Sequence, residues 1–209
     1  MSEAPHSAHL ARKRQAPDSP PDSPPDSQAK SAKTAPANVV VLSFPHGLLD
    51  HGVRGFTCNI AHQVNATSKK PGGLAKALVE ELPFANVSFD EREHTGPQDS
   101  LLGTVRIDKD PERATTVTVF SIYGQRYGGK PGNRADSSAD REQYFASALA
   151  DIQRKVPDLK SIAFPENIGC GIARGIWPNY EQMILNFADA MPRCTVYIVR
   201  CEKMQDLTK

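Results

Sequence analysis

Cysteine is scarce and scattered in this chain. Cys58, Cys170, Cys194 and Cys201 are the four in 209 residues, and no CxxC pair occurs. That spacing argues against a zinc site, and no metal is expected. So few cysteines in a chain this long also argue against a disulfide framework. An excess of one charge is lacking too. Lys plus Arg number 25 and Asp plus Glu 24, for a net charge of +1. No whole-molecule field gathers nucleic acid or an anionic membrane, although a local basic patch stays open. Apolar runs long enough to span a bilayer are missing. The first residues carry charges and prolines where a secretory signal needs an apolar core. The expected compartment is therefore intracellular, cytoplasm or nucleus.

Aromatic residues are absent from residues 1–36, which hold seven of the 17 prolines. Residues 17–27 read PDSPPDSPPDS. Proline removes backbone donors and blocks helix, and Asp and Ser bury nothing, so a disordered tail is expected. Arg12, Lys13 and Arg14 form a short basic run that reads as solvated or as a weak import signal. Ser19 and Ser23 each precede a proline and are permissive for phosphorylation. Beyond residue 36 the chain carries 20 basic and 20 acidic side chains. Residues 37–203 are expected to form one domain of ordinary size, with 204–209 as a short tail.

Within that domain, apolar runs alternate with helical periodicity. Strands are expected at 39–44, 59–64, 86–89, 101–107, 115–122, 159–164 and 195–199. Asp110-Pro111 suggests a turn between the fourth and fifth of these. Helices are expected at 72–82, stopped by Pro83, at 136–156, and at 177–191, where Pro178 suits the first turn. Helices that follow strands in this order must cover both faces of a sheet, so the class is α/β.

Three loops have unusual content. Residues 64–76, VNATSKKPGGLAK, leave a strand and reach a helix through Gly72 and Gly73. Paired glycines let backbone amides approach a ligand, and a helix N-terminus favours phosphate. Neither the GxxxxGK[ST] nor the GxGxxG spacing is present there, and the segment equally fits a plain strand-to-helix turn. Residues 165–180, PENIGCGIARGIWPNY, place Gly169, Gly171 and Gly175 between a strand and a helix. At the carboxyl end of a parallel strand this is where α/β proteins hold ligands, and phosphate cradling is the favoured reading. Cys170 there has neither a nearby histidine nor another activating feature, so it reads as structural. Residues 120–133, FSIYGQRYGGKPGN, contain Gly124, Gly128, Gly129 and Gly132. Tyr123, Arg126 and Tyr127 there suit either closure over a ligand or an ordered surface loop.

These pieces, in this order and spacing, resemble the macro domain, the ADP-ribose-binding α/β module. The nearest branch is the one associated with ADP-ribose 1''-phosphate processing and mono-ADP-ribosyl removal. The likeness spans residues 39–199. It is carried by IAHQVNA at 60–66, PGGLAKAL at 71–78, residues 119–125, and SIAFPENIGCGIARGIW at 161–177. It implies a three-layer α/β/α fold with a mixed central sheet. It also implies that Asn65 faces the distal ribose with Tyr123 nearby, and that Gly72 and Gly73 pass beneath that end of the ligand. Ile168, Gly169, Cys170, Gly171 and Ile172 would wrap the diphosphate with their amides. If the ligand is turned over, the attacking water would be held by Asn65 or a backbone carbonyl; the alternative for Asn65 is a strand-end cap. His62 is a candidate base by its ordinary pKa, or else a satisfied core histidine.

The sequence departs from the family at chemically important positions. Gly47 in PHGLLD stands where relatives place the aspartate that accepts from adenine, with Asp50 three residues on. Ala173 and Ile176 occupy positions where relatives offer a carboxylate. Gly124 and Gln125 lie where a lysine is used, and Arg174 adds a charge beside the diphosphate loop. The resemblance implies a ligand of ADP-ribose type, free or on a protein, bound by a monomer with no cofactor. Weak hydrolysis of the 1''-phosphate or of protein-linked ADP-ribose is one expectation. A catalytically inactive reader or protein-contact module is the other. Nucleic acid is disfavoured as a partner, and no membrane is expected.

Overall fold

A computed structural model of the chain describes residues 35–50, 59–67, 70–87, 98–110, 117–132 and 136–205. The expectations for the basic run, the two serines and nearly all of the tail lie outside these residues. Six strands form one sheet: β1 (Val39–Phe44), β2 (Asn59–Asn65), β3 (Val105–Lys109), β4 (Thr118–Gln125), β5 (Ser161–Pro165) and β6 (Thr195–Cys201). Their order across the sheet is β1-β6-β5-β2-β4-β3. Five strands run parallel, and β3 pairs antiparallel with β4 at one edge. Four α-helices are present among the described residues: α1 (Leu74–Glu81), α2 (Ser138–Lys155), α3 (Trp177–Ala190) and the short α4 (Glu202–Gln205).

Strands β2, β4 and β5 in the middle of the sheet are buried on both faces, while the edge strand β1 leaves Val40 and Val41 exposed. Ala61, Phe120, Ile122, Ile162 and Phe164 pack against α2 and α3 through Phe145, Ile152, Ile184 and Phe187. Ile60, Val119 and Ala163 pack on the other side with Leu78 of α1 and with Leu82, which caps its C-terminus. Helices α2 and α3 lie side by side on the first face, where the Phe145 and Tyr180 rings are 4.8 Å apart. Asn38 fixes the start of β1 by donating to the carbonyls of Ala188, Met191 and Cys194.

Several boundaries differ from those expected. Helix α1 begins at Leu74 rather than residue 72, because Gly73 precedes it with φ +56°. Helix α2 begins at Ser138 rather than residue 136, because Ser137 and Asp140 cap it reciprocally. Strand β3 starts at Val105, since Asp99–Leu101 forms a 3-10 turn. Asn86 and Val87 are not strand; Asn86 caps the 3-10 turn Pro83–Ala85, its amide donating to the Pro83 carbonyl. Residues 88 and 89 lie outside the described residues. The expected short tail at 204–209 begins inside α4, which reaches Gln205. No helix among the described residues is long and apolar enough to cross a membrane.

Candidate functional site

Parallel strands deliver their carboxyl ends to one rim of the sheet. Asn65, Gln125 and Pro165 end β2, β4 and β5 there. The three glycine-containing loops leave from these ends. The first and third are joined by Ala66 N donating to the Gln125 carbonyl at 3.0 Å. Thr67 Oγ1 adds a bond to the Arg126 carbonyl at 2.6 Å. The first and second also meet. A Cβ on Gly73 would stand 3.6 Å from Cδ1 of Ile172.

Backbone hydrogen bonding divides the second loop in two. The amide of Ile168 donates to Pro165 and that of Cys170 to Asn167, at 3.1 and 2.9 Å. Gly175 donates to the Gly169 carbonyl at 2.9 Å. The amides of Gly171, Ile172 and Ala173 have no acceptor among the described residues. At the facing helix terminus, the amides of Gly73, Leu74 and Ala75 are likewise without an acceptor, as the first turn of any helix leaves them. Two groups of open donors thus flank the Gly73–Ile172 approach. Gly72 and Gly171 have open space where a side chain would stand.

Gly169 and Gly175 have a different reason to be glycine. A Cβ on Gly169 would lie 2.6 Å from Gln63 Oε1 and 2.7 Å from the Tyr180 ring. One on Gly175 would lie 2.7 Å from both the Gly169 carbonyl oxygen and Tyr180. Packing over Tyr180 demands them. Gln63 reaches under the loop, donating to Gln125 Oε1 at 3.1 Å. Its own Oε1 is buried without a donor among the described residues.

The other expected site residues are separated by burial. Asn65 Oδ1 accepts from Thr67 N at 3.2 Å, which is the geometry of a strand-end cap, at the rim of the crevice. Tyr123 is only 1% exposed and packs with Val64, Ala66 and Val87 beneath the Asn65 turn. The ring supports the loop from below. Its exposed neighbour in the third loop is Tyr127. His62 is also buried, in the layer between sheet and α1, with Nε2 2.9 Å from Ser121 Oγ. Burial lowers its pKa to about 4, so the ring is neutral. It is set apart from Gln63, whose side chain alternates to the opposite sheet face. Cys170 is half-buried, and burial, aided by Glu142, pushes its thiol up to about 11. That is the reverse of an activated nucleophile.

The positions where the sequence resemblance leads one to expect a carboxylate carry no substitute base. Ala173 is buried, and Ile176 is exposed as a bare apolar side chain. Asp50 accepts from His46 N at 2.7 Å and lies 3.2 Å from the His46 ring. Arg174 holds a left-handed conformation at φ 58° beside the open amides. No group of three His, Cys, Asp or Glu side chains suited to a metal occurs among the described residues.

One pair that links the second and third loops has no signal in the sequence. Arg141 of α2 and Asp136 before it are buried, with Arg141 Nη2 2.8 Å from Asp136 Oδ1. A charged pair at the start of a helix reads in sequence as a solvated face.

Known structures share this fold. The macrodomain of Thermus aquaticus DarG superposes with a TM-score of 0.54 at 20% identity, covering 77% of this chain and 97% of that one. The macrodomain of Mycobacterium tuberculosis DarG gives 0.55 at 16%, covering 76% and 96%. The alphavirus P23pro-zbd gives 0.53 at 18%, covering 80% of this chain and 23% of that one. No protein-family model and no curated protein sequence matches. The fold is that of a macrodomain, as the loop motifs implied.

Proposed function

We propose that this chain binds ADP-ribose or an ADP-ribose derivative in the crevice between the first and second loops. The observation that carries the reading is the convergence of two sets of open backbone amides, Gly73–Ala75 and 171–173. Such donors suit a diphosphate without a strong local positive charge. That agrees with a chain of net charge +1. Asn65 lies at the end of β2 beside them. Its side-chain amide suits a ribose hydroxyl or an ordered water. The ligand is free or protein-linked, it is met inside the cell, and the chain acts as a monomer without a cofactor.

Calorimetric titration with ADP-ribose, AMP and ADP-ribose 1''-phosphate tests this. A Cβ added at Gly171 would meet nothing within 4 Å, so valine there leaves the fold intact and enters the ligand's space. Gly171→Val should weaken ADP-ribose at least about tenfold, about 1.4 kcal/mol. Unchanged affinity in the folded variant would sink the assignment. A second reading, a binding module without turnover, is favoured by Ala173 and Ile176, apolar side chains at the positions where the macro-domain resemblance implies carboxylates.

A further inference from the structure

On the basis of that binding reading, we infer that Arg141, with Asp136, is a positioning pair that sets the spacing of the second and third loops. The guanidinium of Arg141 is 1% exposed and touches both loops at once. Nη1 donates to the Gly129 carbonyl at 2.7 Å and to the Ala173 carbonyl at 3.0 Å. Nη2 donates to Asp136 Oδ1 at 2.8 Å and to the Tyr127 carbonyl at 3.3 Å. Asp136 completes the device, its other oxygen accepting from the amide of Arg126.

Stability alone is a poor reason for this arrangement. Burying two charges costs several kcal/mol each before their attraction is counted, and an apolar pair of like volume often does as well. A planar fork with fixed donors offers geometry that an apolar pair lacks. Here it ties Tyr127 and Gly129 of the third loop to Ala173, the last of the three open amides of the second. The backbone at Tyr127, a residue 38% exposed, is thereby held at a set distance from the open amides of the second loop. A ligand that touches only the second loop is indifferent to that distance. A ligand that extends past its diphosphate to the third loop depends on it. The pair therefore selects for ADP-ribose over ADP.

Two readouts test this role, in Arg141→Lys and in Asp136→Asn, so that failure of one variant to fold leaves the other. Lysine keeps the charge but loses the fork. Titration should show ADP-ribose weakened about tenfold or more and ADP by less than about threefold, a difference of roughly 0.7 kcal/mol or more between the two ligands. Amide hydrogen exchange of the unliganded variants should show the bonded amides of Arg126 in the third loop and of Cys170, Arg174 and Gly175 in the second losing protection together, with β2, β4 and β5 unchanged. Equal weakening of both ligands, or loss of protection in one loop alone or throughout the domain, overturns the positioning role. If the wild-type chain binds neither ligand, the binding reading fails, and the exchange result still decides whether the pair couples the loops.

Discussion

His62 shows how one buried side chain makes stability depend on pH. Burial takes its pKa from 6.5 to about 4. Between those values the unfolded chain binds a proton that the folded chain does not. The stability is complete above pH 6.5 and is lost as pH falls toward 4. At 1.36 kcal/mol per unit, a drop from pH 7 to 4.5 removes about 2–3 kcal/mol through this residue. His62→Gln keeps a polar partner for Ser121 and cannot charge. Denaturant unfolding at both pH values should show a smaller pH-dependent loss in the variant, by about that amount. Equal losses in both proteins would mean that the ring is not buried as described. At this scale the sequence is only partly legible. His62 and Asn65 stand out in it, but each has two readings, and strand alternation alone does not say which face meets the crevice. The glycines of the second loop look equivalent as text. Gly171 stands in open space, while Gly169 and Gly175 are fixed by the Tyr180 ring, a contact that no local pattern encodes.

Elements are more legible than residues, because apolar periodicity reports burial directly. Strands β1, β2, β5 and β6 and helices α2 and α3 fall within a few residues of their expected positions. The differences cluster at ends, where capping decides. Ser137 Oγ accepts from Asp140 N at 3.1 Å, and Asp140 Oδ2 accepts from Ser137 N at 2.8 Å. This reciprocal pair ends the third loop and starts α2, one residue beyond Asp136. Ser137→Ala should cost about 1 kcal/mol, the usual worth of such a cap. Thermal unfolding would register it as a fall of about 2–4 °C for a domain of this size. A change below about 0.3 kcal/mol, less than the weakest caps contribute, would show that neighbouring bonds already fix the helix start. The strand expected at 86–89 is missing at Asn86 and Val87 for a similar reason. Its apolar residues are visible in the sequence, but the 3-10 turn Pro83–Ala85 is not, and a turn redirects a chain regardless of the apolar residues that follow.

At the scale of the whole molecule, the question is whether binding leads to chemistry. Open amides stabilise a bound diphosphate, but they cannot take a proton from water. That step needs a carboxylate or histidine within hydrogen-bond reach of the reacting oxygen. The described carboxylates around the crevice are engaged elsewhere. Asp136 is buried against Arg141, Asp99 lies 3.0 Å from Arg126, and Glu166 lies 2.8 Å from Arg200. His62 is neutral within the sheet layer, and Cys170 is held as a thiol. Gln125, at the end of β4, is an amide and cannot serve as a base. Hydrolysis should therefore be slow even where binding is readily measured. Single-turnover release of phosphate from ADP-ribose 1''-phosphate, beside release of ADP-ribose from a glutamate-modified protein, measures it. The phosphate substrate is the better of the two, since its own oxygens can accept the proton that the protein leaves unclaimed. Asn65→Ala should lower affinity for either substrate through loss of the rim cap, with little change in the slow rate of the bound complex. Fast turnover of either substrate, abolished by that substitution, would show that Asn65 holds a water competent for attack and that binding alone understates this crevice.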